Sequence, residues 1–204
     1  LYAVINGAGL GFTGPAEYFP LEDYRRAFET NLLGYIRVAQ AMMPLVRKAV
    51  AAPGAARRGR FVFIGTGGGV PSPSPGLLSA YMASKWGIEA FCQSLRVEMK
   101  LTGRAIDCCM VNPGFIKPTM LIEVGNRMVA AMWKKLPSRA QEEYGAFVKN
   151  FQDFSAVQPG THVSVVAQTM EEALAVGTPP LRYKVGYDSM ASPLVGLLPT
   201  RWRE

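Results

Sequence analysis

The stretch Leu1-Tyr2-Ala3-Val4-Ile5-Asn6-Gly7-Ala8-Gly9-Leu10-Gly11 opens the chain and decides its fold class. Its first six residues form a short, largely apolar run, which is typical of a buried strand. The run passes directly into a glycine-rich loop, as strands of α/β sheets do where they end. The stretch therefore predicts the first strand of a buried sheet.

Apolar runs and helical periodicity alternate along the next hundred residues. Strands are predicted at 1–6, 60–64 and 105–111, and helices at about 21–50 and 78–101. The apolar positions of the first helix recur at helical spacing: Leu32, Leu33, Ile36, Ala39, Met43 and Val46. Strands joined by helices that are long enough to cross over predict βαβ units, and hence a parallel α/β sheet.

The remainder of the chain is less regular. Residues 120–154 are apolar but contain Gly125, Pro137 and Gly145, which favours two short helices outside the sheet. A further helix is predicted at 161–176, capped by Thr161 or Ser164, and a last strand at 182–187. Because no linker or repeat interrupts the chain, we expect residues 1–204 to form a single domain.

Composition excludes several classes of protein. With 49% hydrophobic residues among 204, the chain is unlike disordered proteins, and no apolar run is long enough to span a membrane. Three Cys and one His supply neither a disulfide framework nor a set of zinc ligands, so no metal is expected and a reducing intracellular compartment is the default. The net charge of +7 is scattered and no nucleic-acid motif accompanies it, although it would permit peripheral membrane contact.

The stretch Tyr81-Met82-Ala83-Ser84-Lys85 contains the pair with the clearest chemical potential. Residues four apart share one face of a helix. Here they lie near the start of the helix that follows the second strand, where α/β sheets bind ligands. By itself, the spacing also fits a tyrosine packed on a helix beside a surface lysine.

Four motifs, taken in order, resemble the short-chain dehydrogenase/reductase superfamily over essentially the whole chain. They are Asn6-Gly7-Ala8-Gly9 with Gly7 in place of a second Asn, Asn31 within Thr30-Asn31-Leu32-Leu33-Gly34, Tyr81-Met82-Ala83-Ser84-Lys85, and Pro113-Gly114. The resemblance implies a Rossmann-like, doubly wound parallel sheet. It places Leu1 at the fourth strand of that sheet, so we expect the first βαβαβ portion, with its phosphate-binding turn, to be missing from this chain.

The resemblance also implies an NAD(P)-dependent oxidoreductase that interconverts an alcohol and its carbonyl compound. Tyr81 would be the acid/base, Lys85 would lower its pKa and hold the nicotinamide ribose, and Asn31 would position a water. Phenolate stabilisation by nearby positive charge is physically sound for a tyrosine of ordinary pKa about 10. The cofactor is NAD or NADP, and the residues that select between them are not in this sequence.

The hydroxyl that should hydrogen-bond the substrate oxygen is harder to assign. The family usually has a Ser 13 residues before the Tyr, and Gly68 holds that position. Alignment of the strand instead brings Thr66 to the serine position. Ser72 or Ser74 of the loop Pro71–Pro75 is the alternative.

Further cofactor-binding positions follow from the same resemblance: Asn6, Ala8, Gly9, Pro113, Gly114, Ile116 and Thr119. The glycine loop would line the adenosine side and Pro113-Gly114 would pack on the nicotinamide. The family usually has its Thr five residues after the Pro, where Pro118 stands, so Thr119 is the nearest hydroxyl.

The last third of the chain resembles the branch of retinol, 17β-hydroxysteroid and D-3-hydroxybutyrate dehydrogenases. Residues 115–158 would form a substrate lid, with Thr66, Met120, Met132 and Trp133 against a small hydrophobic alcohol or carbonyl compound. The apolar stripe of the lid fits lid packing equally well. A homodimer or homotetramer through the helices at 21–50 and 78–101 is implied, and a non-catalytic lipid- or partner-binding protein is the alternative function.

Overall fold

A computed structural model describes residues 1–55, 57–67, 74–119 and 121–198 of the chain. The strands are β1 (Ala3–Asn6), β2 (Gly59–Ile64), β3 (Ile106–Pro113), β4 (Ile116–Lys117), β5 (Thr161–His162) and β6 (Arg182–Val185). The helices are α1 (Leu21–Phe28), α2 (Gly34–Val50), α3 (Ser79–Leu101), α4 (Leu121–Trp133), α5 (Ser138–Val157), α6 (Val163–Ala175) and α7 (Tyr187–Leu197).

Four of the strands form one parallel sheet in the order β1-β2-β3-β6. The short strands β4 and β5 pair with each other in a second parallel sheet. The predicted α/β class and the parallel sheet are therefore confirmed. The predicted strand at 182–187 ends two residues earlier, at Val185.

The central strands are buried because both faces of the sheet are covered. Phe61 and Phe63 of β2 pack with Cys108 and Met110 on the side of α2 and α3. Val62 packs on the opposite side, in the cluster that α6 covers. This explains why these strands have continuous apolar runs rather than alternating polarity.

The helix predicted at 21–50 contains a wide turn that its sequence does not reveal. A π-helix occupies Glu29–Leu33 between α1 and α2. The buried positions of α2 are Tyr35, Ala39, Met43 and Val46, whereas Leu33 is 40% exposed. The extra residue in a π turn rotates the following face, so the predicted stripe was wrong at Leu33 and omitted Tyr35.

The two helices predicted outside the sheet in the C-terminal half are confirmed as α4 and α5, but two local details there were wrong. Only Pro137 interrupts residues 121–157, because Gly125 and Gly145 lie inside α4 and α5. The second of these helices has 20 residues rather than being short. The N-cap of α6 is His162, whose ring accepts a hydrogen bond from the Ser164 amide, rather than Thr161 or Ser164.

The expected lid, residues 115–158, contains β4, α4 and α5. Helix α7 follows β6 and contacts that strand. Among the described residues, none of the helices has both the length and the apolarity needed to cross a membrane.

Candidate active site

The carboxyl ends of three adjacent parallel strands define one edge of the sheet. At this edge lie Asn6 at the end of β1, Thr66 two residues beyond β2, and Pro113 at the end of β3. Ligands of open α/β sheets bind in the crevice outside such ends. Residues predicted from distant motifs therefore converge on one edge.

Tyr81 and Lys85 lie in the first two turns of α3, on the face that points toward this edge. The Thr66 side chain is near the Tyr81 hydroxyl and acts on its pKa as a hydrogen-bonding partner. Burial raises the pKa of the Tyr81 hydroxyl, and the bond to Thr66 acts against that rise. The phenol is therefore neutral at pH 7 and has a hydroxyl partner at the position predicted from the strand alignment.

Lys85 is a buried cation with little to compensate its charge. Its side chain is 4% exposed, and its Nζ donates to the Ile64 carbonyl at 2.9 Å. Burial lowers the pKa of Lys85 to about 8. No carboxylate among the described residues forms an ion pair with it. An anionic or strongly polar ligand would be favourable beside such a group.

Asn31 occupies the π-helix between α1 and α2 and is fully buried. Its Oδ1 accepts from the Leu10 amide at 2.8 Å, and its Nδ2 donates to the Leu10 carbonyl at 2.9 Å. The same Nδ2 donates to the Ser84 hydroxyl at 3.1 Å. Asn31 thus ties the glycine-rich loop to α3 between Tyr81 and Lys85.

The glycine-rich loop leaves an open approach to these groups. Gly7, Ala8 and Gly9 are exposed. A Cβ on Gly9 would lie 3.6 Å from both Asn31 Oδ1 and Lys85 Nζ. Asn6 is buried, and its Nδ2 has no hydrogen-bond partner among the described residues. A glycine here keeps the space beside Lys85 free for a ligand.

The segment that leaves β2 is packed closely on the end of β3. A Cβ on Gly65 would lie 2.2 Å from Asn112 Oδ1, and one on Gly67 would lie 2.9 Å from Gly114 Cα. The Gly67 amide donates to the Pro113 carbonyl at 2.5 Å. This packing fixes the backbone on either side of Thr66.

Two residues at the start of α7, neither of them predicted from the sequence, support the Pro113-Gly114 segment. Asp188 Oδ2 accepts from the Phe115 amide at 2.8 Å, and its carboxylate occupies the space where a side chain on Gly114 would lie. Ser189 donates to the Asn112 carbonyl at 2.7 Å. Both are more than 70 residues away in sequence, and no local signal marks them.

Two predicted cofactor residues, Ile116 and Thr119, lie in surroundings that do not include Lys85. The side chain of Ile116 packs against the cluster between the sheet and α6, on the face away from α3. Thr119 lines a cavity of about 600 Å³ together with Lys117, Glu123 and His162. Their roles in binding the cofactor stay predictions.

The lid residues divide between two environments. Met128 packs with Tyr81 and Phe12 in one apolar cluster, and Met132 lies against Gly14. Trp133 instead packs between α4 and α5 with residues such as Val148. Trp133 is therefore part of the lid core in this arrangement, and its role toward substrate stays a prediction.

Several predicted positions lie outside the described residues. These are Met120, Gly68 and Ser72. Ser74 is described and exposed, and its hydroxyl bonds to the adjacent Pro75 carbonyl. Of the candidate hydroxyls, Thr66 is the one that the described structure joins to Tyr81.

Comparison with known sequences was made over the whole chain. A family model described as short chain dehydrogenase matches residues 1–128. Retinol dehydrogenase 7 of Mus musculus is 34% identical over 197 residues, which cover 93% of this chain and 57% of the relative. Short-chain dehydrogenase/reductase family 9C member 7 of Bos taurus is 32% identical over 195 residues, covering 93% and 58%. The chain thus spans less than two thirds of the length of these relatives.

Solved structures show the same fold. A short-chain dehydrogenase/reductase from Burkholderia phymatum, in complex with NAD, superposes with a TM-score of 0.70 at 18% identity, covering 95% of this chain and 63% of that one. A short-chain dehydrogenase from Streptomyces avermitilis gives a TM-score of 0.66 at 22% identity, covering 92% and 61%. These likenesses support a Rossmann-like sheet.

Proposed function

The chain belongs to the short-chain dehydrogenase family, and on that premise we propose that it is the catalytic and substrate-binding part of an NAD(P)-dependent oxidoreductase. The reaction interconverts an alcohol and its carbonyl compound, with Tyr81 as the acid/base. The observation that carries the proposal is the placement of Tyr81 and Lys85 beside Thr66 and Ile64 at the end of β2, with Asn31 joining the glycine loop to Ser84 on the same helix.

The protonation states suit this chemistry. Because burial raises the pKa of Tyr81, its hydroxyl is protonated near neutrality and can donate to the oxygen of a bound carbonyl compound. In the opposite direction the phenolate forms, and a nearby positive charge stabilises it. With a pKa of about 8, Lys85 is about nine-tenths protonated at pH 7 and supplies that charge.

The residues fit a nicotinamide cofactor in two respects. The space beside Gly9 is bordered by Asn31 and Lys85 and is free of side chains, and Asn6 offers an unpartnered buried amide at the same edge. Lys85 would donate to ribose hydroxyls, while Pro113 and Gly114 would flank the nicotinamide. When bound, that group exchanges a hydride with the substrate carbon.

We propose a hydrophobic substrate of the retinoid, steroid or other lipid alcohol class. Two relatives are named retinol dehydrogenase 7 and 17-beta-hydroxysteroid dehydrogenase type 6, at 34% and 31% identity. The Tyr81 ring lies in an apolar cluster with Phe12 and Met128, so the surroundings of the reacting hydroxyl favour apolar ligands.

The test is turnover of the full-length protein with a panel of lipid alcohols and their carbonyl compounds, followed at 340 nm with NAD and with NADP. Tyr81→Phe should reduce kcat by about 10²- to 10⁴-fold, because it removes the group that transfers the proton. Tyr183→Phe is the matched control and should retain turnover, since it removes a buried tyrosine hydroxyl on β6 that packs on the α6 face of the sheet, opposite α3.

Undiminished turnover by Tyr81→Phe would exclude the acid/base role. Binding of a lipid alcohol without turnover by the wild-type protein with either cofactor would instead favour a non-catalytic binding protein.

A further inference from the structure

The loop that leaves β3, residues 113–115, is held by distant parts of the chain. The Gly114 amide donates to the Val185 carbonyl at 2.9 Å, and the Phe115 carbonyl accepts from the Thr161 amide at 2.8 Å. Both bonds join backbone to backbone, so substitution of a side chain does not remove them. The Phe115 amide differs from these groups, because it donates to a side chain.

That side chain is Asp188, in the first turn of α7. Its Oδ2 accepts from the Phe115 amide at 2.8 Å. A Cβ on Gly114 would overlap both carboxylate oxygens, and one on Gly186 would lie 2.9 Å from Oδ1. Gly186 has a φ of +93°, a conformation that glycine adopts without strain. The two glycines therefore leave a space that the carboxylate fills.

The position of Asp188 also suits its charge. A carboxylate is favourable in the first turn of a helix, because the free amides there carry partial positive charge. Its Oδ1 is buried and has no hydrogen-bond partner among the described residues. The bond from the Phe115 amide is charge-assisted, and such bonds are stronger than those between neutral groups. Asp188 is therefore well placed to fix the loop.

The next residue of α7 holds the strand end that precedes the loop. Ser189 is fully buried, and its hydroxyl donates to the Asn112 carbonyl at 2.7 Å. A Cβ on Gly67 would lie 3.1 Å from the Cβ of Ser189. The start of α7 thus packs on the segment that follows β2 as well as on the loop that follows β3.

We propose that Asp188 is a positioning residue for the nicotinamide end of the cofactor: by binding the Phe115 amide, its carboxylate holds Gly114 and Phe115 in the conformation that flanks the nicotinamide. The inference deepens the proposed function and rests on it, because the cofactor and the role of Pro113-Gly114 come from there. It requires no contact between Asp188 and the cofactor. The effect on the loop can be measured without cofactor.

The first experiment compares the affinities of the full-length protein for NADH and for ADP-ribose, which lacks the nicotinamide. For a wild type that prefers NADPH, the pair is NADPH and 2′-phospho-ADP-ribose. Asp188→Ala should weaken binding of the nicotinamide cofactor by about tenfold, the low end of what a hydrogen bond to a charged group contributes. Affinity for the ADP-ribose ligand should be unchanged. Asp188→Asn keeps an oxygen that accepts from the Phe115 amide, so it should restore most of the affinity.

The second experiment is hydrogen exchange of the Phe115 amide in the cofactor-free protein, followed by NMR. This amide should exchange faster in Asp188→Ala than in the wild type, because its acceptor is gone. In Asp188→Asn it should stay protected.

The matched control is Asp107→Asn. Asp107 is also a buried carboxylate, but it lies at the start of β3, at the opposite edge of the sheet from the loop. This variant weakens the fold without touching the loop, so the ratio of the NADH and ADP-ribose affinities should not change.

Equal losses of affinity for the two ligands in Asp188→Ala would mean that Asp188 only stabilises the fold, and would overturn the proposal. Unchanged NADH affinity or unchanged exchange of the Phe115 amide would overturn it as well. Asp188→Ser replaces Asp188→Ala if the alanine variant does not fold. Serine also suits a helix N-terminus, but its hydroxyl ends one bond short of the carboxylate oxygen.

Failure of the proposed function has a different signature. A wild type that binds neither NADH nor NADPH would refute that function and the assignment to nicotinamide with it, whereas exchange of the Phe115 amide would still show whether Asp188 holds the loop. If the wild type binds NADH and Asp188→Ala binds it equally well, this inference alone fails.

Discussion

Two buried cations lie beside strand β2, and their charges are compensated to different extents. Arg60 lies at the start of the strand and is 2% exposed, whereas Lys85 is bound to the carbonyl of Ile64 at its end and is 4% exposed. Burial of a charge is costly unless partners compensate it. Only one of the two has such partners.

Arg60 is surrounded by acceptors. Its Nη2 lies 3.5 Å from the Asp107 carboxylate of the neighbouring strand and donates to the Val176 carbonyl at 2.9 Å. Its Nη1 donates to the Ala173 carbonyl, near the C-terminus of α6. Asp107 is in turn held by Arg58 through two hydrogen bonds of 2.7 and 3.2 Å. This cluster joins the sheet to α6.

Lys85 Nζ instead donates to two neutral oxygens, the Ile64 carbonyl and the Tyr35 hydroxyl. This difference is the one expected if Arg60 is a structural group and Lys85 serves the proposed function. The cation at the amino end of the sheet faces a carboxylate, while the one at the carboxyl edge has no carboxylate partner among the described residues, as the proposed function requires. Removing the carboxylate partner of Arg60 should therefore lower the free energy of unfolding, whereas removing the charge of Lys85 should raise it.

The largest effect is expected from Asp107→Ala. This variant leaves the buried guanidinium of Arg60 without its carboxylate and should lower the free energy of unfolding by about 3–5 kcal/mol. Denaturant unfolding of the full-length protein measures it. Asp153→Ala is the control, because its ion pair with Lys149 is exposed and should contribute about 0.3–0.5 kcal/mol. Equal effects of the two variants would contradict the comparison.

Periodicity predicted most of the fold because burial on both faces leaves a direct trace in the sequence, as in Phe61–Ile64. It could not predict the π-helix at Glu29–Leu33, because one extra residue in a turn changes the apolar face without changing composition. The prediction that Gly145 interrupts a helix was also wrong, because this residue lies inside α5. A glycine inside a helix costs about 1 kcal/mol, which packing of α5 can offset.

Residues of the candidate site could be predicted where a local sequence motif marks them. Tyr81 and Lys85 share a helix face, but it was the resemblance to the family, rather than the spacing alone, that brought them together with Thr66. Tyr35 was not recognisable, because a buried aromatic residue on a helix is ordinary core until its contact with Lys85 is known. Asp188 acts on Gly114 and Phe115 only through tertiary packing, which leaves no local pattern.

A smaller effect of opposite sign is expected from Lys85→Met. Because the Lys85 pKa falls from 10.5 to about 8 on folding, its charged form costs about 3 kcal/mol at pH 7. Methionine removes this cost and loses the hydrogen bonds to the Ile64 carbonyl and the Tyr35 hydroxyl, so the free energy of unfolding should rise by about 1 kcal/mol. Affinity for the nicotinamide cofactor should fall in the same variant. A destabilised Lys85→Met would indicate that the ammonium is compensated by the fold.

The pH dependence of the free energy of unfolding is a second test of whether the Lys85 charge is uncompensated. Between pH 8 and 10.5 the unfolded chain binds more protons at this lysine than the folded chain, so the Lys85 contribution makes the wild type more stable as pH rises. Below pH 8 this contribution is constant. The difference between wild type and Lys85→Met should therefore shrink across this range, and a difference that is independent of pH would contradict the assignment.

The smallest effect is expected from Arg58→Ala. Arg58 binds Asp107 through two hydrogen bonds, but its side chain is 44% exposed, so solvent screens the pair. Because Asp107 still faces Arg60 in this variant, the free energy of unfolding should fall by about 1 kcal/mol or less. Urea unfolding at low and high salt measures it, and salt should reduce the effect further. If Arg58→Ala were as damaging as Asp107→Ala, the exposed arginine rather than the buried one would be the main partner of the carboxylate, and Arg60 would then resemble Lys85 more closely than the contrast allows.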